Sequence, residues 1–214
     1  MFNVDKRREP VIVAYVRTPF GRADKEKGYL RKWRSDDLAI SLLQDIVKRA
    51  AVEPREVDEV ILGAVELIGE QAHPARNAAF LADFPVEVTG LTVERACVTP
   101  MSAIHIAAMS VMSNMGDVYI AGGLDSMTHV ALPVMRADMN IFDVISQPGT
   151  LMSTQDPNPK LFEKVNPMEL TGGVAGEKMA EDYKISRQEM DRWAHHSHLR
   201  AVEDQAPQVG GVGQ

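Results

Sequence analysis

Residues Leu91–Met115 read LTVERACVTPMSAIHIAAMSVMSNM, and this stretch decides the fold. A short β-type run, Leu91, Thr92 and Val93, leads into Cys97, the single cysteine of the chain. Thr99 is a good N-cap residue and Pro100 suits a first helical position. From Met101, apolar residues recur at Ile104, Ala108, Val111 and Met112, a helical spacing, and Asn114 and Gly116 mark its end. The pattern predicts a strand, a sharp turn carrying Cys97, and a helix that starts directly after it.

That placement has a chemical consequence. The first turn of a helix has unsatisfied N–H groups and the positive end of the helix dipole, both of which stabilise an anion. A thiolate is such an anion, and the same donors suit the oxygen of an acyl group carried on sulfur. Cys97 is therefore a candidate nucleophile. Local sequence leaves a second reading open, in which a lone cysteine is a small buried hydrophobe.

Working outward, strand and helix patterns alternate. Pro10–Val16 (PVIVAYV) is a continuous β-branched run, the pattern of a strand buried on both faces. Ser35 stands before an apolar stripe of Leu38, Ala39, Leu42, Leu43, Ile46, Val47 and Ala50, which predicts a capped helix. Glu59–Val65, Leu91–Glu94 and Asp117–Ala121 read as strands and Pro74–Asp83 as a short helix. Such alternation predicts an α/β fold with a mostly parallel sheet, whose chemistry lies at the carboxyl ends of the strands. Cys97 and Gly122–Gly123 both follow strands, although a double glycine alone marks only a tight turn. Residues 128–170 are rich in Met and Pro and have no sustained period. Val174–Tyr183 then reads as a helix, and Ser186 with Glu189 forms a capping box before another, with Met190, Trp193, Ala194, Ser197 and Ala201 as its expected buried stripe.

Composition narrows the function classes. The 214 residues are 45% hydrophobic, enough for a sizeable core, and the net charge of −7 argues against a nucleic-acid partner. One cysteine excludes a disulfide framework and suits a reducing, cytoplasmic setting. The opening MFNVDKRREP lacks the apolar core of a signal peptide, and no run of 18 apolar residues predicts a membrane span. Lys25, Lys27, Arg31, Lys32 and Arg34 read as a solvated surface or as a site for a nucleotide phosphate. His195, His196 and His198 share one helix without a carboxylate to complete a zinc motif, so no metal site is expected. His105 lies two turns into the Cys97 helix and reads as a hydrogen-bonded core histidine.

The Cys97 stretch resembles the nucleophile segment of thiolases, closest to the 3-ketoacyl-CoA thiolases, with Val93, Arg95, Cys97, Met101, Ala103, Ile104 and His105 in register. Further similarities follow in family order: VRTPFGR at Val16–Arg22, ARNAA at Ala75–Ala79, AGGLDSM at Ala121–Met127, PNPKL at Pro157–Leu161 and the ISR…SH…RA pattern at Ile185–Ala201. The resemblance implies a thiolase-like fold with an N-terminal α/β half over residues 1–127, part of a substrate-covering loop domain over 128–205, and a flexible tail over 206–214. It implies acyl transfer between 3-ketoacyl-CoA or acetyl-CoA and CoA, with Cys97 carrying the acyl group and CoA as substrate, not as a bound cofactor. Where many thiolases have His-Met in the loop domain this chain has Thr171–Gly172, so no CoA-contacting residue is carried over.

Two departures accompany the resemblance. Val98, Thr99 and Pro100 replace the small residues usual after the family's cysteine. The chain also lacks the second half, with its Asn-Glu-Ala-Phe, Gly-His-Pro and Cys-x-Gly-Gly segments and their acid–base groups. The expectation is a truncated acyltransferase, not competent alone, that forms a homo-oligomer or joins its missing half. The alternative is a non-catalytic remnant used for binding or assembly.

Overall fold

The computed structural model describes residues 8–129, 160, 163–164 and 172–205. The chain divides into two compact units, residues 1–138 and 139–214.

The first unit is built on three parallel strands: β1 (Glu59–Gly63), β2 (Thr89–Val93) and β3 (Tyr119–Gly123), in the order β2-β1-β3. Ile61 of the central strand pairs with Leu91 on one side and Ala121 on the other. Alternate side chains of a strand point to opposite faces. Val60 and Leu62 accordingly join a cluster with Ala39, Leu43 and Val47 of α1 (Ser35–Ala50) and Ala75, Ala78 and Ala79 of α2 (Pro74–Leu81). Ile61, fully buried, points to the other face, where α3 (Thr99–Met112) packs against β1 and β3 through Ala103. Coverage on both faces explains why the central strand is apolar without alternation.

The parallel α/β architecture inferred from the alternating pattern is the one observed, and the three strands lie within two residues of their expected positions. Pro10–Val16 is a correction. It forms no strand, and Val11, Ile12, Val13 and Tyr15 are each at least 75% exposed. Local β propensity is not sufficient: a strand needs a ladder partner, and among the described residues none pairs with this run.

Helix α1 starts one residue early. Arg34 is its N-cap and makes no side-chain cap bond, while Ser35, expected as the cap, is the first helical residue. The helix start is capped from outside: Oε1 of Glu70 accepts from both the Ser35 backbone N–H (2.8 Å) and its hydroxyl (2.9 Å). A carboxylate there also opposes the positive end of the helix dipole.

The second unit contributes α4 (Gly172–Asp182) and α5 (Arg187–Gln205). The capping box is formed, with Ser186 N–H and Oγ donating to Glu189 Oε2 at 2.8 and 2.7 Å and Glu189 N–H returning to Ser186 Oγ at 3.3 Å. The expected buried stripe is a correction: Met190 is 37% and Trp193 74% exposed, and Ala194, Ser197 and Ala201 are exposed too. Among the described residues of this unit only Ala180 is buried, and only Met190 of the α5 stripe lines a recess shared with Val174, Ala180 and Ile185. No helix among the described residues is long and apolar enough to cross a membrane.

Candidate active site

The turn after β2 holds the only thiol of the chain. Ala96–Val98 is one turn of 3-10 helix that runs directly into α3, and Cys97 is its exposed middle residue. Exposure removes the buried-hydrophobe reading. Ala96 is held at φ 47°, a left-handed conformation that is uncommon without glycine, and this reversal turns the chain from strand to helix.

Side chains fix that conformation. Glu94 Oε1 accepts from Ala96 N–H at 2.7 Å. The Thr99 hydroxyl, 1% exposed as a residue, accepts from Arg95 N–H and donates to Ala96 C=O, both at 2.7 Å. Thr99 was expected to cap a helical N–H. It is instead the first residue of α3, and its hydroxyl ties the two residues before Cys97 to the one two places after it. The helix N-cap is Val98, which makes no side-chain cap bond.

The sheet is shaped to receive this turn. A Cβ on Gly63 would overlap the Val93 carbonyl oxygen and the Thr99 methyl group, and one on Gly123 would lie 2.9 Å from both Gly63 O and Pro100 Cγ. The last residues of β1 and β3 are therefore glycines because the first turn of α3 packs directly on them. Gly123, a weak signal in the sequence, has a specific role: it makes room for Pro100. Cys97 is thus raised at the carboxyl edge of the sheet, beside a helix start.

The donors at that start are few. Thr99 N–H is taken by Ala96 C=O, and Pro100 has none. Val98, the next residue after Cys97, is 43% exposed and not packed into the core. Among the described residues, nothing is hydrogen-bonded to the Cys97 sulfur. His105, expected in the core, is exposed on α3. The apolar residues that defined the helix, Met101 (52%) and Ile104 (44%), also lie on its exposed side, while Ala103 and Ser110 face inward.

Other expected site residues do not converge here. Arg34 of the basic cluster is held in a two-pronged pair by Asp36, at 2.9 and 2.6 Å, and Arg31 bonds its own loop at Gly28 C=O. His195 and His196 have ring centroids 6.4 Å apart on exposed α5, and no group of three metal-ligating side chains occurs among the described residues. Thr171 lies outside the described residues. A cavity of about 500 Å³ lies between Val16–Ala23, α1 and the end of β3, lined by Leu38, Leu42 and Ile46 among others. Sequence reading missed it because those residues were assigned wholly to the core.

A parallel sheet with an exposed thiol on its carboxyl edge, at a helix start, defines a class of α/β proteins that present a cysteine at a strand-to-helix turn. The particular family follows from comparison: the chain belongs to the thiolase family, because the family profile described as "Thiolase, N-terminal domain" matches residues 10–209. It is 36% identical over 198 residues to a 3-ketoacyl-CoA thiolase of Saccharophagus degradans, covering 92% of this chain and 45% of that protein. It is 34% identical over 194 residues to a 3-ketoacyl-CoA thiolase of Pseudoalteromonas translucida, covering 90% and 44%. A crystal structure of the Bacillus anthracis acetyl-CoA acetyltransferase is similar at TM-score 0.58 and 32% identity, over 83% of this chain and 44% of that one. The chain thus spans somewhat under half the length of these relatives.

Proposed function

We propose that this chain carries the nucleophile of a thiolase-type acyltransferase acting on 3-ketoacyl-CoA and acetyl-CoA, and that turnover needs further chain. The observation that carries the reading is Cys97, exposed on a side-chain-locked turn at the start of α3. In the degradative direction the Cys97 thiolate adds to the 3-keto carbon. The C2–C3 bond breaks, acetyl-CoA leaves as a carbanion and takes up a proton, and the acyl group stays on sulfur as a thioester. The thiolate of a second CoA then attacks that thioester and releases Cys97.

The groups that move protons in this scheme come from outside the described residues, since none of these is bonded to the sulfur. The surface supports this requirement. Met101, Ile104, Met109 and Met112 expose an apolar face of α3, Val11–Val13 are bare, and the outer edge of β3 is unpaired among the described residues. Such a surface suits association with a second half, in the same or another polypeptide, or with a second copy.

A second reading has its own support. With Pro100 lacking an N–H and Thr99 N–H occupied, the turn has lost donors that would hold an acyl oxygen. On this reading the chain is a non-catalytic remnant used for assembly. Thiolysis of acetoacetyl-CoA separates the two, measured for the chain alone and co-expressed with a chain supplying the second half of a 3-ketoacyl-CoA thiolase. The acyltransferase reading expects no turnover alone, and turnover in the complex that disappears in Cys97→Ala. Turnover that survives Cys97→Ala would overturn it, and a stable complex with no turnover and no acyl-sulfur adduct establishes the remnant.

A further inference from the structure

A histidine that the acyl-transfer chemistry does not use sits between two acceptors. His129 Nδ1 lies 3.0 Å from Glu70 Oε1, and its Nε2 lies 2.8 Å from the Arg31 carbonyl oxygen. A neutral imidazole has one N–H, so it satisfies one of these and sets a lone pair against the other. Only the imidazolium donates to both.

We propose that His129 is a proton-operated clasp: protonated, it binds the turn after β3 to both the Arg31–Ser35 loop and Glu70, and on losing its proton it keeps only one of these bonds and loosens that turn. The elements it joins are far apart in sequence. Glu70 sits on the 3-10 turn Gly69–Gln71, and the same carboxylate oxygen caps the start of α1 through Ser35. His129 thus adds to a junction that Ser35 and Glu70 already form.

Among the described residues, Glu70 and Arg34 are the charged groups that act on the ring. Glu70 is a direct partner, with a side chain only 10% exposed. Arg34, held by Asp36 at 2.6 Å and 3.9 Å from the other Glu70 oxygen, opposes protonation of the ring through its positive charge, the weakest of the influences on it. Asp37 lies in the same first turn. On the strand side, Asp125 is occupied by Val65 N–H and Gln71 Nε2. The Arg31 carbonyl and then Glu70 hold the imidazole above its ordinary range. Burial raises Glu70, but the Ser35 donors and His129 outweigh it and leave its carboxyl below its ordinary range. For a raised histidine the stabilisation is complete below its unfolded value and lost as pH rises through the folded one. For a lowered carboxyl it is present above the unfolded value and lost as pH falls through the folded one. The clasp is closed between these limits and opens on the alkaline side of the ordinary histidine range.

Opening is local. Ser126 N–H remains on Gln71 Oε1 at 2.7 Å, so the turn is pinned at that residue, and the His129 N–H bond to Ser126 C=O at 3.1 Å is the one that loosens beyond it. Met127, Thr128 and Ser35 line the cavity beside α1, so release changes its mouth.

The test is a pH titration of the full chain by NMR, reading the His129 ring nitrogens and the exchange protection of the His129 amide, which donates to Ser126 C=O. The expected results are a midpoint above that of free histidine, a fall in that midpoint in Glu70→Gln, and a drop in protection as pH passes the midpoint. His129→Gln assigns the resonance and is expected to abolish the step. A wild-type midpoint at or below that of free histidine, or protection with no step across it, overturns the proposal even if either variant fails to fold.

Discussion

Replacing Thr99 with valine isolates the hydroxyl that locks the Cys97 turn. Valine keeps nearly the same shape, so the change removes two hydrogen bonds with little cavity. Arg95 N–H loses its acceptor at 2.7 Å, and a partly buried donor left unmade costs about 1–3 kcal/mol. Ala96 C=O loses the hydroxyl but keeps Thr99 N–H, a loss of about 0.5–1.5 kcal/mol. Together these predict a destabilisation of about 2–4 kcal/mol, a large share of the roughly 5–15 kcal/mol typical of a domain. Thr99→Ser keeps both bonds and loses only the methyl group packed on Gly63, which predicts about 1 kcal/mol. Urea unfolding, read as a change in midpoint at constant slope, measures both. A valine variant as stable as the serine variant would refute the idea that the hydroxyl holds the turn.

Other outcomes follow from the same geometry. Gly63→Ala forces a Cβ into the Val93 carbonyl and Thr99 methyl, and is expected to cost more than about 3 kcal/mol in the same unfolding assay; a loss under about 1 kcal/mol would show that α3 does not pack as described. Arg8→Ala removes bonds to Val111 C=O and Gly116 C=O (both 2.8 Å) and to Asp117 (2.6 Å) at the end of α3, and predicts a loss of about 1–3 kcal/mol by urea unfolding. Cys97→Ala, at an exposed position, should leave stability within about 0.5 kcal/mol of the parent while removing any acyl acceptance. Asp36, lowered first by its Arg34 bond, and Glu70 both favour the folded state above the ordinary carboxylate range. The unfolding midpoint is therefore expected to fall on acidification through their depressed values, and less so in Glu70→Gln.

Much of the fold was legible because its signals are local. The strand β1 carries the unbroken apolar run Val60–Leu62, the α1 stripe recurs at helical spacing, and the Ser186–Glu189 box reports a helix start from residues three apart. The Cys97 turn was legible for the same reason. What escaped the sequence depends on partners distant along the chain. Pro10–Val16 has strand composition but no ladder partner among the described residues. Ser35 was given the capping role that Glu70 fills from 35 positions away. The apolar face of α3 was legible as a periodicity, but periodicity does not say which side meets the sheet. Small residues decide that: Ala103 and Ser110 approach where Met101 and Ile104 are too large. At the site, Cys97 was legible as a candidate. The Thr99 bridge and the fit of Pro100 on Gly123 were not, since both need the turn to be built first.

Acyl transfer by this chain requires Cys97 as the acyl acceptor, and the intact mass of the chain tests this most directly. The purified protein is incubated with acetyl-CoA, with Cys97→Ala alongside. One acetyl group on the parent, absent from the variant and released by free CoA, is the predicted result. A parent chain that stays unmodified even at a pH where thiols are ionised, or one that is acetylated equally in the variant, would contradict it.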